Sequence, residues 1–355
     1  MVGLLSGHMK ALRKPEKLVA GDTIATISLS WGGAATFPHR YQIGKERLEN
    51  KCGLKVKEAR HALRDADWLY RNPQARAEDL MECFADPEVK GIFAIIGGDD
   101  SIRLMPFIDY EVITKNPKIF LGYSDSTVTH FMCMRAGVRS FYGPAVMTAF
   151  AENVEMHEYT VQSLGRTLYT HEPIGSIPQN FQGWTNEHLE WSNPDNAHIR
   201  RRLNLPDPWR FIAGQEKVQG RLIGGCVELL QLLLGTELWP SIDEFDDCIL
   251  FFEISEDGMT QMQTQAFLRN LASQGILKRL KGMLFSKPAG VPEHTFYEYD
   301  GTIGKVLSEY GRADMPVITN MDFGHTDPML TLPIGALAEI DPQAQTFSIL
   351  ESGVS

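Results

Sequence analysis

The sequence has few cysteines, and their spacing does not suggest a cross-linked or metal-bound structure. There are five among 355 residues, an odd number, and no two of them form a CxxC unit. Their positions are Cys52, Cys83, Cys133, Cys226 and Cys248. A disulfide framework or a thiolate metal site is therefore not expected, and a reducing compartment, the cytoplasm, fits this usage better.

The sequence also lacks an excess of positive charge and lacks long apolar runs. The 34 Lys and Arg residues are outnumbered by 45 Asp and Glu residues, and the net charge is −11. Nucleic acids and anionic membranes attract a basic surface, so both are poor candidates for partners, although one pocket could still bind a small anionic or zwitterionic molecule. No stretch approaches the ~18 apolar residues of a membrane-spanning helix, and the N-terminus is not expected to be a signal peptide.

The sequence motifs that bind common cofactors and metals are missing as well. G-x-G-x-x-G, the phosphate-binding P-loop, HExxH, the EF-hand loop and paired His/Cys ligands do not occur. Each of these motifs supplies a specific backbone cradle or ligand set for a nucleotide or a metal ion. We therefore expect neither a cofactor nor a metal.

The pattern of apolar segments predicts an α/β protein with two domains. Strand-like runs at 23–31, 91–96 and 119–121 alternate with helix-like segments, which is typical of a doubly wound, Rossmann-like parallel sheet. Short strands such as 248–253 fill the last third, where we expect a barrel-like α/β domain. The predicted parts are a tag-derived or disordered lead over 1–17, with a cloning remnant at 6–9, an N-terminal domain over 18–170, a connecting substrate loop over 171–210 and a C-terminal domain over 211–355.

The most informative segment is 119–126, Ile-Phe-Leu-Gly-Tyr-Ser-Asp-Ser. An apolar strand ends at Gly122, Ser124 follows, and a helix-compatible stretch begins at Ser126. A serine at the apex of a strand–turn–helix unit is exposed near a helix N-terminus and can act as a nucleophile. The alternative is that Ser124 and Asp125 simply cap the helix.

A serine nucleophile needs a base, which is usually a histidine. Of the ten histidines, His325 stands out because it lies directly after a predicted strand, in a turn that Gly324 and Pro328 favour. The alternative is an ordinary turn histidine. His130 follows Ser124 by six residues and could lie near it, but a histidine on the following helix more often packs or is solvated.

The base in turn needs a carboxylate that fixes its orientation. Glu253 ends the apolar run CILFFE, where a charge is costly unless a partner such as a histidine N–H accompanies it. The other acidic residues between 243 and 257 lie in polar runs typical of solvated turns. Glu228, after a pair of glycines, could also face a cleft.

Two backbone N–H groups must stabilise the negative oxygen that forms during acyl transfer. The residue after the nucleophile, Asp125, supplies one naturally. Gly98 is predicted to supply the second, because glycines allow the backbone to approach closely. We also assign its neighbours Gly97 and Asp99 to substrate binding.

Together these segments resemble the LD-carboxypeptidase family of serine peptidases (S66), and within it the MccF-like branch of microcin C immunity proteins. The family motif G-[YF]-S-D matches 122–125, its glycine pairs match 97–98 and 224–225, its strand ending in glutamate matches 251–253, and its motif G-H-x-x-P-x-x-T-L-P-I-G matches 324–335. The resemblance covers nearly the whole chain from about Leu18. It implies a catalytic triad of Ser124, His325 and Glu253.

Two positions depart from the family pattern. Cys226 stands where murein enzymes commonly have an asparagine, and Ser126 replaces the second glycine of G-x-S-x-G. The segment 184–191, Trp-Thr-Asn-Glu-His-Leu-Glu-Trp, is similar to a loop of the MccF-like branch. That similarity implies that Trp184 stacks on a nucleobase, whereas the other loop tryptophans are expected to pack the loop onto the protein.

The resemblance implies a cytoplasmic serine carboxypeptidase or amidase. Its substrate would be an aminoacyl- or peptidyl-nucleotide of the microcin C type, cleaved through an acyl-enzyme. One alternative is a murein LD-carboxypeptidase that releases D-Ala from tetrapeptides, and another is a binding protein that kept the fold without catalysis. The resemblance also suggests a homodimer, which no residue pattern supports independently.

Overall fold

The computed structural model describes residues 11–355, which form a mixed α/β protein with two sheets. The strands are β1 (Thr23–Ile27), β2 (Lys55–Glu58), β3 (Val89–Ala94), β4 (Ile119–Gly122), β5 (Phe141–Tyr142), β6 (Gly175–Ser176), β7 (Arg210–Ala213), β8 (Val218–Cys226), β9 (Cys248–Glu253), β10 (Gly282–Ser286), β11 (Val317–Met321), β12 (Leu332–Pro333), β13 (Leu337–Asp341) and β14 (Thr346–Ile349). The helices are α1 (Gly33–Thr36), α2 (Pro38–Asn50), α3 (Ala66–Arg71), α4 (Pro73–Ala85), α5 (Tyr110–Lys115), α6 (Ser126–Arg135), α7 (Glu158–Leu168), α8 (Val227–Leu233), α9 (Gln261–Ser273) and α10 (Phe296–Glu309). None of these helices has both the length and the apolar character needed to cross a membrane. The predicted α/β class is confirmed, while the predicted cloning remnant at 6–9 lies outside the described residues.

The first sheet is the predicted doubly wound parallel sheet. Its strand order is β12-β5-β4-β3-β1-β2, and only the short β12 pairs antiparallel. Nearly every residue of β3 and β4 is buried, which explains the continuous apolar sequence of both strands. Because these two strands are neighbours, the loops that follow them meet at the same edge of the sheet.

The second sheet is mixed and has eight strands. Four parallel strands, β8-β9-β10-β11, form its centre, and antiparallel strands extend it on both sides. Within residues 11–355 its strand order runs from one edge at β6 to the other at β7, so the predicted barrel-like part takes the form of an open sheet. Glu253 is the last residue of β9, and the loop carrying His325 follows β11.

The C-terminal part of the chain returns to the first sheet. Strand β12 pairs with β5, with Leu332 opposite Tyr142. Beside this junction Arg139, which is 1% exposed, donates hydrogen bonds to the carbonyl oxygens of Gly335 and Ser352. The return brings the loop of His325 close to the carboxyl end of β4.

The predicted connecting loop over 171–210 has little regular structure. It contains β6 and a short 3₁₀ turn at Pro194–His198. Two isolated bridges hold it, one between Trp184 and Asn204 and one between Thr185 and Asp327. The second bridge ties the loop to the segment that carries His325. The domain divisions at 170 and 211 stay predictions.

The end of the predicted lead is packed against the protein. Leu12 is 7% exposed and contacts the backbone at Gly335. The backbone of Arg13 bonds to Gly137 and Arg139, at 2.8 and 2.9 Å. Residues 11–17 therefore differ from the predicted disordered lead, because they add a bridge beside the first sheet.

Candidate active site

Ser124 lies at the sharp turn between β4 and α6. Its backbone is left-handed, with a φ of 59°, a conformation that costs a non-glycine residue about 1–3 kcal/mol and recurs at functional sites. The turn needs glycine at 122, because a Cβ there would collide with the hydroxyl of Ser126. A Cβ on Gly97 would lie 2.9 Å from Ser124 Oγ, so the neighbouring loop can approach the serine only as glycine.

Glu253 and His325 form a buried pair. The Oε2 atom of Glu253 lies 2.7 Å from Nδ1 of His325, and the glutamate is fully buried. Gly324 adopts a left-handed conformation, and a Cβ there would lie 2.6 Å from Glu253 Cγ. The carboxylate therefore holds a proton on Nδ1, which makes Nε2 the ring nitrogen that can exchange a proton on the cavity side.

A second buried network holds the histidine loop at its base. Asp322 accepts hydrogen bonds from Trp209 Nε1 and Lys287 Nζ, both at 2.7 Å. The Lys287 and Asp322 side chains are 1% and 2% exposed, so removing either partner would leave a buried charge unpaired. This network supplies rigidity that a surface loop would otherwise lack.

Tyr142 connects the carboxylate to the serine turn. Its hydroxyl donates a hydrogen bond to Glu253 Oε1 at 2.5 Å and accepts one from the Ser124 N–H at 3.2 Å. Burial, followed by the neighbouring Glu253 charge, raises the pKa of Tyr142 well above its ordinary value, so the phenol stays neutral. The sequence analysis missed Tyr142; the short apolar run at 141–142 after the serine helix was the available signal.

The electrostatics around His325 favour the imidazolium. Burial lowers the pKa of His325, but the carboxylates of Glu253, Glu256 and Glu228 outweigh burial and raise this pKa to about 9. Glu256 is the nearest of these on the cavity side, with its Oε2 atom 3.3 Å from Nε2. The sequence analysis placed Glu256 in a solvated turn, which agrees with its 75% exposure but not with this contact.

The loop at 97–101 is fastened to the serine turn by the Asp125 side chain. Its carboxylate accepts hydrogen bonds from the Ser101 N–H at 2.9 Å, the Asp100 N–H at 3.2 Å and the Ser101 hydroxyl at 2.8 Å. Burial raises the pKa of Asp125, and these hydrogen bonds oppose that shift. Within residues 11–355 the N–H groups of Gly98 and Asp125 donate to no other group, so both are free to bind an oxygen.

A cavity of about 530 Å³ opens beside these groups. Its lining includes predicted site residues together with residues of the connecting loop. They are Trp31, Phe37, Arg40, Ile96, Gly97, Gly98, Tyr123, Ser124, Thr148, Asn153, Asn186, Glu187, His188, Leu189, Glu190, Trp191, Arg201, Glu256, His325 and Asp327. The volume suits a ligand of the size of a nucleotide or short peptide.

The structure does not place Trp184 in this cavity. Its ring is 2% exposed and packs on Phe296 of α10, with ring centroids 5.5 Å apart. Trp191, which we expected to pack, lines the cavity instead, together with Trp31. Arg40 lies 4.4 Å from the Trp191 ring centre and so covers part of that ring.

Two further candidates lie away from the cavity lining. Asp99 is exposed and does not line the cavity. His130 is fully buried, where Nε2 bonds to the Gly122 carbonyl at 2.8 Å and Nδ1 lies 2.9 Å from Ser140 Oγ. Burial lowers the pKa of His130 to about 4, so this histidine stays neutral and supports the turn from behind.

Cys226 lies close to two of the predicted triad residues, Glu253 and His325. Its Sγ–H donates to Glu228 Oε2 at 3.0 Å, and its backbone N–H donates to Thr127 on the serine helix. Ligand atoms of Cys226, Glu253 and His325 all lie within 4.8 Å of one another. Burial, followed by the charges of Glu253 and Glu228, raises the Cys226 pKa, so the thiol stays protonated beside these carboxylates.

Comparison with known protein families finds a match in each half of the chain. Residues 24–143 match the LD-carboxypeptidase N-terminal domain, and residues 219–340 match the LD-carboxypeptidase C-terminal domain. Ser124 falls in the first match, and Glu253 and His325 fall in the second.

Similar proteins extend over nearly the whole chain. The chain is 30% identical over 344 residues to the microcin C7 self-immunity protein MccF of Escherichia coli, covering 95% of this chain and 96% of the relative. It is 27% identical over 346 residues to a probable murein peptide carboxypeptidase of Bacillus subtilis, covering 96% and 95%. A solved structure of MccF with aspartyl sulfamoyl adenosine matches with a TM-score of 0.86 at 29% identity, covering 96% of this chain and 99% of that one.

Proposed function

We propose, from the premise that this chain belongs to the LD-carboxypeptidase family of serine peptidases, that it hydrolyses the amide of aminoacyl- or peptidyl-nucleotides. The observation that carries the proposal is that the strained Ser124 and the His325 of the Glu253–His325 pair line the same cavity, which has aromatic walls. The MccF relative is seen with aspartyl sulfamoyl adenosine, a compound of this class.

The proposed reaction uses the chain's own groups in a fixed order. Ser124 Oγ attacks the carbonyl carbon while His325 Nε2 takes its proton, and Glu253 stabilises the imidazolium that results. The free N–H groups of Gly98 and Asp125 bind the negative oxygen. His325 then gives the proton to the leaving nitrogen, and water releases the acyl group from Ser124 by the reverse sequence.

The proposed nucleotide end lies against the tryptophans of the cavity. Trp31 and Trp191 offer aromatic surface, which is where a flat base gains stacking energy. Trp184 has no accessible ring face for this role, since it is buried against Phe296. We therefore assign base stacking to Trp191 rather than to Trp184.

A murein LD-carboxypeptidase is the second candidate, supported by the 27% identity to the Bacillus subtilis relative. The same triad would cleave the bond before a terminal D-Ala. A binding protein without catalysis is the least supported hypothesis. Neither the left-handed backbone of Ser124 nor the Glu253–His325 pair is needed for binding alone.

Location and assembly belong to the same proposal. All five cysteines are free, as suits the reducing cytoplasm, and the family resemblance suggests a homodimer. Light scattering on the purified protein measures the assembly directly. A mass of one chain, against the 39.9 kDa of the sequence, would refute the dimer.

Mass spectrometry of product release tests the proposed reaction. The protein is incubated with aminoacyl sulfamoyl adenosines and with L-Ala-D-Glu-diaminopimelate-D-Ala. Release of free amino acid from the adenosine compounds alone supports the proposal, and release of D-Ala alone supports the murein reading. Ser124→Ala should lower either rate by orders of magnitude. Near wild-type turnover by this variant would refute the serine mechanism.

A further inference from the structure

Glu256 is a carboxylate placed at the reacting end of the cavity. Its side chain is 75% exposed, it lines the cavity, and its Oε2 atom lies 3.3 Å from His325 Nε2. Within residues 11–355 its carboxylate pairs with no lysine or arginine. Since Nε2 must reach the attacking serine, any substrate held for reaction lies within a few ångströms of this carboxylate.

The two arginines of the cavity do not neutralise Glu256, because other groups already hold them. Arg40 donates to the Met147 carbonyl and to Asn153 Oδ1, both at 2.8 Å, and stacks on Trp191. Arg201 pairs with Glu152 and, at 2.6 Å, with Asp327. Apart from His325 itself, which three carboxylates share, the end of the cavity beside the histidine therefore carries negative charge without a counter-charge.

A second carboxylate adds to this charge from below. Glu228 Oε1 accepts hydrogen bonds from the N–H and the hydroxyl of Ser255, at 3.1 and 2.9 Å, which orients it under the segment carrying Glu256. An anionic acyl group next to the scissile carbonyl would meet both charges. A cationic group there would find an exposed carboxylate that lacks a permanent partner.

We propose that Glu256 is a specificity-determining residue that binds an ammonium group on the acyl part of the substrate and disfavours acidic acyl groups. The inference rests on the proposed hydrolytic function. The ammonium can be the α-amino group of an aminoacyl compound or the side chain of a diamino acid, including that of a murein peptide. In both cases Glu256 turns from His325 to the substrate. Without this carboxylate beside it, Nε2 gives up its proton to solvent more readily, and the neutral imidazole can then take the proton of Ser124.

The test compares kcat/KM for five sulfamoyl adenosines. The acyl groups are leucyl, 4-methylpentanoyl, lysyl, 6-aminohexanoyl and aspartyl. The series therefore contains compounds with and without the α-ammonium group and compounds with and without the side-chain ammonium group. In the wild type, at least one ammonium should raise kcat/KM by about 10- to 100-fold over its matched compound, as expected for one hydrogen bond to a charged group. The leucyl to 4-methylpentanoyl ratio reports the α-ammonium, and the lysyl to leucyl ratio reports the side chain.

Glu256→Gln keeps the shape of the residue and removes its charge. It should bring the affected ratio close to one and raise kcat/KM for the aspartyl compound relative to the leucyl one. Asp257→Asn is the matched control, because Asp257 is the neighbouring exposed acid and does not line the cavity. Ratios of about one in the wild type, or ratios that Glu256→Gln leaves unchanged, would overturn the inference.

Binding measured by calorimetry separates this inference from the proposed function. Ser124→Ala and the double variant Ser124→Ala/Glu256→Gln are titrated with the same compounds. If the wild type hydrolyses none of them but Ser124→Ala still prefers the ammonium compounds through Glu256, the specificity stands and the proposed function fails. If all are hydrolysed with equal efficiency, the function stands and the specificity fails. If none is bound or hydrolysed, both fail.

Discussion

At the scale of single residues, Tyr142 links two parts of the site that the chain supplies from different sheets. Glu253 has one oxygen on His325 and the other on the Tyr142 hydroxyl. The same hydroxyl accepts a hydrogen bond from the strained backbone of Ser124. A phenol suits this position because it donates and accepts at once, so neither buried partner is left unsatisfied.

Tyr142→Phe should therefore impair catalysis more than folding. We expect kcat to fall by about 10- to 100-fold and the free energy of unfolding by about 1–2 kcal/mol, since one buried carboxylate oxygen and one N–H lose their partner. Steady-state kinetics and urea denaturation measure the two effects. Tyr159→Phe is the control, because its buried hydroxyl bonds only to the Pro178 carbonyl, away from the triad. Unchanged kcat in Tyr142→Phe would contradict the linking role.

The pH dependence of kcat/KM follows from the His325 environment. Burial lowers the His325 pKa, but Glu253, Glu256 and Glu228 raise it to about 9, so the free enzyme holds an imidazolium at neutral pH. Because only the neutral form can take the serine proton, kcat/KM should rise with pH from 7, with its midpoint at about 9. Glu256→Gln should move this rise to lower pH. A wild-type midpoint near 6.5 would contradict the assignment.

The same pKa has a consequence for stability. The folded protein binds this proton more tightly than the unfolded chain, whose histidine has the ordinary pKa of 6.5. The stabilising contribution is therefore complete below pH 6.5 and is lost as the pH rises through about 9. Urea denaturation between pH 6 and 10 should show this loss in the wild type and not in His325→Gln.

At the scale of elements, the apolar runs predicted strand positions well, since burial on both faces leaves a clear sequence signal. The run at 248–253 corresponds to β9 and that at 119–121 to most of β4. The prediction of a strand over 23–31 extended too far, because β1 ends at Ile27. The chain leaves the sheet after Ile27, and Ser30 Oγ accepts a hydrogen bond from the Asp100 N–H beside the serine turn.

Contacts between elements that are distant in the chain could not be predicted from the sequence. Trp184 and Trp191 lie on one loop, and the buried one, Trp184, packs against Phe296 on α10, a residue more than 100 positions away. Likewise, the sequence around Glu256 predicts a solvated turn, and its contact with His325 becomes visible only in the folded protein. Local patterns identified the candidate triad, whereas its supporting residues depend on tertiary packing.

Asp125 offers a test of how one element positions another. Asp125→Asn keeps one acceptor oxygen but replaces the other with an N–H₂ group that faces donors of the 97–101 loop. The loop should shift relative to Ser124 and displace the Gly98 N–H, which lowers kcat by about 10- to 100-fold with a smaller change in KM. Glu111→Gln, an exposed change on α5, is the control. A rise in KM of the same size, with kcat unchanged, would indicate a binding role instead.

At the scale of the whole molecule, the site exists only where the two sheets meet. The first sheet supplies Ser124 and Tyr142, and the segments of the second supply Glu253 and His325. The chain closes this junction after His325, where β12 joins β5. Forces that hold the junction therefore support both stability and the alignment of the proposed triad.

Arg139 is the charged group that secures this junction. Its guanidinium donates to the Ser352 carbonyl at 2.9 Å and the Gly335 carbonyl at 3.2 Å, and pairs with Glu351 at 2.6 Å. Arg139→Met keeps most of the apolar stem but leaves these acceptors without a donor. We expect the free energy of unfolding to fall by about 2–4 kcal/mol.

Tryptophan fluorescence during urea denaturation measures this loss, and kcat measured in the same samples shows whether the triad separates before the sheets unfold. Because the junction aligns Ser124 with His325, kcat should fall at urea concentrations below the fluorescence transition in Arg139→Met, while the two coincide in the wild type. Arg135→Met, an exposed change on α6, should shift neither curve. Coincident curves in Arg139→Met would mean that the junction stabilises the fold without controlling the alignment of the triad.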